Sequence, residues 1–329
     1  MKVNRENFGN LFRAVTNFEL LGKVLIIIEL VAIPLGVYAI YLGYAALQLQ
    51  VESNDQQLVA TAWQQLTTAA PGNSGKSEAL MTLAGKGVPL VNLRLDCETM
   101  GGQFHVHDTF PELERCKGAP YFSDLTFHSA SQALSYSTFD GSDFNGFSIE
   151  DNIVFGLSIR KSEIKGMNFV ETNVYDLDIT ESNLEEASFN RDIDGIVAIR
   201  TMFQSVEFTD MQIRGADFTN AKFSQVTFKE ANASDWNVSG ADFCWIHPYV
   251  ILGDDQKPED YCATGLSPDH SWNIWAWDDN APKGLEPLKD FIESVKLCPA
   301  SLRNDYYKNI AQEYFDFTIN RGFTLPKGC

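Results

Sequence analysis

The chain has 329 residues, 44 acidic and 25 basic, for a formal net charge of −19. So anionic a surface repels nucleic acid and anionic lipid head groups and favours basic partners. A hydrophobic content of 44% excludes disorder as the source of the acidity. Six cysteines, none in a Cys-x-x-Cys pair, argue against zinc-ribbon and thioredoxin motifs and suit disulfides in an oxidising compartment.

Within residues 1–23, Phe8, Leu11, Phe12 and Val15 recur at i, i+3, i+4 and i+7 beside Arg5 and Arg13. The pattern predicts a short amphipathic helix on a cytoplasmic membrane surface. Residues 24–47 are apolar apart from Glu29, and a bilayer core needs about 20 such residues. They predict a transmembrane helix, with Pro34 inside it and Tyr38, Tyr41 and Tyr44 toward the far interface. Lys2, Arg5, Arg13 and Lys23 precede the span, and Glu52 and Asp55 follow it. The expected topology has the N-terminus in the cytoplasm and the bulk outside, in the periplasm beyond a bacterial inner membrane. Glu29 costs about 2.5–3.5 kcal/mol inside hydrocarbon. It is either an interfacial residue or an intramembrane contact with a partner.

Residues 48–136 read as a helical and irregular juxtamembrane region and N-terminal cap. Residues 70–77 spell Ala-x4-Gly-Lys-Ser, close to a phosphate-binding loop, but the first glycine is missing and the run Leu58, Ala62, Leu66 before it is helical. The plainer reading is a helix stop at Pro71-Gly72 and a new N-cap at Asn73 or Ser74, with Glu78 in the first turn. His105 and His107 share a strand face and, with Asp108 or Glu98, form a candidate zinc or copper set; a structural pair is the plainer alternative. His128, His247 and His270 form no triad pattern.

From residue 137 to 243 the period is five. Every fifth residue from Phe139 runs Phe144, Ile149, Val154, Ile159, Ile164, Phe169, Val174, Ile179, Leu184 and Phe189. After one skipped residue the series resumes as Ile193, Ala198, Phe203, Phe208, Ile213, Phe218, Phe223, Phe228, Ala233, Val238 and Phe243. All 22 are apolar, against 44% in the whole chain. A period of five fits neither helix nor strand, so it is a repeat signal. Two residues before each centre stands a second inward candidate, often small, as at Ser142, Ser162, Thr172, Ser182, Ala187, Ala216, Ala221, Ala231 and Ala241.

This resembles the pentapeptide-repeat family, whose unit is Ala-(Asp/Asn)-(Leu/Phe)-x-x; Ala216-Asp217-Phe218-Thr219-Asn220 and Ala241-Asp242-Phe243 match best. The resemblance implies a mainly β protein, a right-handed quadrilateral β-helix in which each unit forms one side of a square coil. At four units per coil, 22 units give about 5.5 coils, some 26 Å at the usual strand spacing. Phe218, Phe223 and Phe228 should point inward and Thr219 outward. The skip after Phe189, and the larger residues Phe147, Asn152, Leu157 and Met167 at small positions, predict local distortion. The segment 62–80 is similar to one found between membrane helix and coils in bacterial membrane-anchored members.

Residues 244–329 read as a C-terminal cap with a Trp-rich loop and two helices, at 286–297 and 301–321. Tyr307, Ile310, Ala311, Tyr314 and Phe315 form a stripe on the second. Trp272, Trp275 and Trp277 are the candidate partner surface. For the cysteines, Cys97–Cys116 is the leading pair, with Cys244–Cys262 and Cys298–Cys329 behind it.

No convergent catalytic constellation stands out, so no enzyme and no cofactor is expected. The reading is a non-catalytic scaffold or protein-binding module, membrane-anchored, whose partner is another membrane or periplasmic protein or a second copy. A second reading comes from the family: some members are acidic rods that mimic DNA and bind gyrase. Residues 139–243 hold 19 acidic and 8 basic residues, which suits mimicry, but only if the rod is cytoplasmic.

Overall fold

The computed structural model describes residues 5–303, apart from residues 73, 108–110, 112, 129–133, 247, 249–255, 267–273 and 285–287; the side chains of residues 5–33, 233 and 302 also lie outside what it describes. The chain forms two compact units, Met1–Ala60 and Thr61–Cys329.

Helix α1 (Arg5–Thr67) runs without a break through Pro34, where the sequence predicts a surface helix followed by a separate span. Of the expected span 24–47, the first ten residues, Glu29 among them, lie outside the described side chains. Among the described residues no helix is long and apolar enough to cross a membrane.

The last carbonyls of a helix lack partners. At the end of α1, Lys76 supplies them: its Nζ donates to the carbonyls of Thr68 at 2.7 Å, Leu66 at 3.3 Å and Gln65 at 3.5 Å. The lysine is wholly buried, and burial lowers its pKa. The residue that resembles a phosphate-loop lysine is thus a cap. Helix α2 (Lys76–Gly85) has Gly75, at φ 77°, as its N-cap, in place of the expected Asn73 or Ser74; Asn73 is outside the described residues. Ala79, Leu80 and Leu83 are buried, and Ser123 N donates to Ser77 Oγ at 2.9 Å. That contact covers the first edge of the coil.

Behind α2 the chain winds as a parallel β-solenoid. One ladder column passes through Tyr121, Asp143, Glu163, Asn183, Met202, Lys222, Asp242 and Lys283, which makes eight levels. The stack extends beyond the expected 137–243 at both ends. Before it, Tyr121–His128 pairs with Asp143–Glu150 and buries Phe122 and Phe127. After it, Ile274–Trp277 pairs with Asn232–Asn237, and Lys296–Cys298 pairs with Ile274–Trp277. Of the helix expected at 286–297, residues 286 and 287 lie outside the described part; α3 (Lys289–Ser294) forms, and Lys296–Cys298 joins the sheet instead. Residues 304–321 lie outside the described part.

Every central residue from Phe139 to Phe243 is buried, Ala233 apart, whose side chain is not described. The rings stack level on level: Phe169 on Phe189 at 5.3 Å, Phe189 on Phe208 at 5.1 Å, and Phe208 on Phe228 at 5.0 Å. The small column is also buried, and its hydroxyls have work: Ser182 Oγ donates to Ile159 O at 2.8 Å and Thr201 Oγ1 to Ile179 O at 2.7 Å. A serine or threonine here satisfies a buried carbonyl of the level below, which an alanine cannot do. Phe147, Asn152, Leu157 and Met167 are buried without the expected distortion; Phe147 and Met167 pair in register.

Between successive sides the chain turns through a left-handed residue. From Gly141 to Glu186, and again from Gly195 to Gly240, every fifth residue has positive φ. The break falls at the skipped residue, where the step from Asn183 to Met202 is 19 residues instead of 20. Side chains repair the ladder there. Asn190 Oδ1 accepts from Glu171 N at 2.8 Å and Asp192 Oδ1 from Gln212 N at 3.0 Å. On neighbouring levels main-chain carbonyls do this, as Val170 O does for Asp151 N.

Two insertions leave the coil, and a disulfide closes the neck of each. Cys97–Cys116 ties off the hairpin of β1 (Gln103–Val106) and β2 (Glu114–Lys117). Cys244–Cys262 ties off the excursion between them. Cys298 is disulfide-bonded too, and its expected partner Cys329 lies outside the described residues.

Candidate interaction surfaces

The four outer sides differ in how far they are covered and how well their charges are matched. On the first side Arg160 Nε donates to Asp140 Oδ2 at 2.8 Å and lies 3.8 Å from Asp178. The second side carries Asp143, Glu163, Asn183 and Met202 on successive levels, and the β1–β2 hairpin lies across it. Phe104 sits against Gly141, whose φ of +71° and lack of Cβ make the seat: a Cβ there would come within 2.7 Å of the ring. Arg115 is buried and ion-paired with Glu163, and His107 Nε2 lies 3.7 Å from the same carboxylate. Asn183 Nδ2 donates to Glu163 Oε2 at 2.9 Å. Leu113, Met202 and Trp245 close over the next level. Burial raises the Glu163 carboxyl, against Arg115; burial and then Glu163 raise Asp143. This side is occupied by the protein itself.

The fourth side, whose centres are Val154, Val174, Ile193 and Ile213, has no other element lying across it among the described residues. One outward column holds Tyr136, Phe155, Tyr175, Asp194 and Arg214. Phe155 and Tyr175 stack at 5.0 Å and 15°, and Tyr136 and Phe155 at 6.4 Å and 12°. Tyr136 is 48% exposed and Ile153, on the same side, 44%. Gly156, at φ +59°, seats the Tyr136 ring, which a Cβ would approach to 2.8 Å. Burial pushes the Asp194 carboxyl up; Arg214 opposes this, and Asp176 and Asp192 add to it.

The predicted site residues fall as follows. Trp275 and Trp277, expected on a partner surface, are buried in Ile274–Trp277, where all four residues are inside. This corrects the expectation: the coil continues into the Trp-rich segment, and the two rings pack edge to face with centroids 5.0 Å apart. Trp272 and Glu29's side chain lie outside the described part. His105 is on β1, and His107 faces Glu163. Among the described residues no three His, Cys, Asp or Glu side chains are placed to hold a metal, and Asp108 lies outside them.

Sequence reasoning missed Arg115 and the aromatic column. The second had a signal: Phe155 and Tyr175 are 20 residues apart, one full coil. Reading every fifth residue finds the core, and reading every twentieth finds what a single side presents.

Parallel ladders with a 20-residue step, an inward residue every fifth position and a left-handed corner between sides define a four-sided β-solenoid. Residues 207–243 match the family described as Pentapeptide repeats, in 8 copies. By this match residues 207–243 are similar to pentapeptide repeats, and the four-sided coil that holds them extends beyond them in both directions. No curated protein matches it.

Proposed function

We propose that this chain is a non-catalytic protein-binding scaffold, held on a membrane by residues 24–47 with its solenoid on the extracytoplasmic side. The observation that carries the anchor is the described half of that segment. Leu35, Val37, Tyr38, Ile40, Tyr41, Leu42, Tyr44 and Leu47 are all exposed, between 48% and 74%. Water does not favour such a helix surface, whereas a lipid core does. The disulfide-closed necks support an oxidising location beyond a bacterial inner membrane. The scaffold reading rests on flat sides built from in-register ladders, which present repeated side chains at fixed spacing.

Within this reading Glu29 contacts a second membrane-spanning chain, since an intramembrane carboxylate needs a partner to satisfy it. The test is co-purification from mild detergent. The Glu29→Leu variant should insert at least as well as the parent and lose the co-purifying protein or the crosslinked dimer. Unchanged association would leave Glu29 as an interfacial residue and the anchor as a plain tether. The second reading, gyrase binding by acidic mimicry of DNA, is favoured by the charge of residues 139–243. A C-terminal reporter that reads cytoplasmic would promote it over the first.

A further inference from the structure

The fourth side combines two features that occur apart elsewhere on the described coil. Tyr136 and Ile153, exposed, and Phe155 and Tyr175, half-buried, form an apolar strip at one end. Carboxylates follow directly along the same side. Asp151, Glu171, Asp176, Asp192, Asp194 and Asp210 lie on it or on its corners, against the two guanidinium groups of Arg191 and Arg214. Arg191 is turned to Glu171, with Nε 2.9 Å from Oε2, and Arg214 reaches Gln212. On the first and second sides Arg160, Arg115 and Lys165 likewise answer neighbouring carboxylates, and there the hairpin covers part of the surface.

Resting on the scaffold reading above, we propose that the fourth side is the docking face for a cationic, amphipathic segment of a partner protein. Its apolar side chains lie on Ile153 and the Phe155–Tyr175 stack, and its arginine or lysine side chains lie among Asp176, Asp192 and Asp194. The chemistry selects this occupant over others. A second copy of the chain would bring the same carboxylates to the interface, and each copy carries a net charge of −19. Nucleic acid and anionic lipid are repelled for the same reason. The outer face of Tyr175, next to Asp194 in the ladder, is where a cation finds a ring and carboxylates together. A cation there also relieves the like charges that crowd Asp194.

The test uses the full chain in mild detergent and a labelled synthetic peptide of alternating arginine and leucine, read by fluorescence anisotropy. Comparison between variants in the same detergent cancels partitioning into micelles. Asp192→Asn with Asp194→Asn should weaken binding about tenfold, and Phe155→Ser with Tyr175→Ser by a similar factor. Glu185→Gln with Glu186→Gln, the same change of charge on another side, should leave it within about twofold. Equal weakening by the two charge pairs would overturn the proposal, as would equally tight binding of a lysine–glycine peptide of the same charge. Failure here is separable from failure of the scaffold reading. If a partner co-purifies with the parent and equally with the Asp192/Asp194 variant, the scaffold stands and this face falls. If the parent neither binds the peptide nor co-purifies a partner, both fall.

Discussion

Phe218 and Thr219 are consecutive residues on opposite surfaces of one side. The Phe218 ring meets Phe203, Phe223 and Trp236 at 5.9, 5.4 and 5.2 Å. Phe218→Ala should cost about 3–5 kcal/mol in denaturant unfolding, and Phe218→Asp, which buries an unpaired carboxylate, should unfold the neighbouring levels. The sequence makes Thr219 an indifferent outer residue, and the structure corrects that. Its hydroxyl donates to Asp217 Oδ1 at 2.6 Å, and Asn237 Nδ2 donates to Thr219 Oγ1 at 3.0 Å. Asp217 is buried, and burial raises its carboxyl against the hydrogen bonds from Thr219 and Asn237. Thr219→Val should therefore cost about 1–3 kcal/mol, and Thr219→Asp more, because it sets a second carboxylate against the first. A neutral Thr219→Val would mean that the hydroxyl does not hold Asp217. Inward or outward is legible from a spacing of five. Which outward residues bond to the next level is not, because that partner is 18 to 20 residues away.

Among the elements, the strands between Phe139 and Phe243 are legible because each five-residue unit has the same job. The levels at either end are not, because insertions interrupt the count while the ladder continues through them. Phe122 and Phe127 keep the spacing for one step, and then residues 128–138 break it. The aromatic column of the fourth side escaped for a related reason: none of its three rings is a centre. The disulfides show how an insertion is tolerated. By pinning the neck, Cys97–Cys116 returns the chain to the coil at the point where it left. Replacing both cysteines by serine should cost about 3 kcal/mol. It should also speed hydrogen exchange in β1 and β2 ahead of the core ladders. Exchange that rises equally in Asp143–Glu150 would show that the bond supports the coil itself rather than the hairpin.

For the molecule as a whole, acidity sets the response to pH. Asp143, Glu163, Asp178, Asp194 and Asp217 all have carboxyls raised, each chiefly by burial. A group raised on folding binds its proton more tightly in the folded state. Its stabilising contribution is complete below the unfolded value of about 4 and is lost as pH rises through the raised one. Asp96 runs the other way: burial acts to raise it, but Thr99 and Arg94 outweigh that, so its contribution is lost as pH falls. Five groups against one, with the net charge of −19 also falling in magnitude, favour the acid side. Thermal unfolding at constant salt should come later at about pH 5.5 than at about pH 8. The reverse order would mean that these carboxyls are not the ones that govern stability. The ladder has a further consequence, for assembly. Between Asp143 and Asn237 each strand meets its partner 19 or 20 residues along the chain, and that distance does not grow with the number of levels. Contact order stays low in a coil made almost wholly of strands, where slow pairing is the rule. No late step has to join the two ends. A chain delivered N-terminus first can wind one level for each 20 residues that arrive, so the rod lengthens at the pace of synthesis.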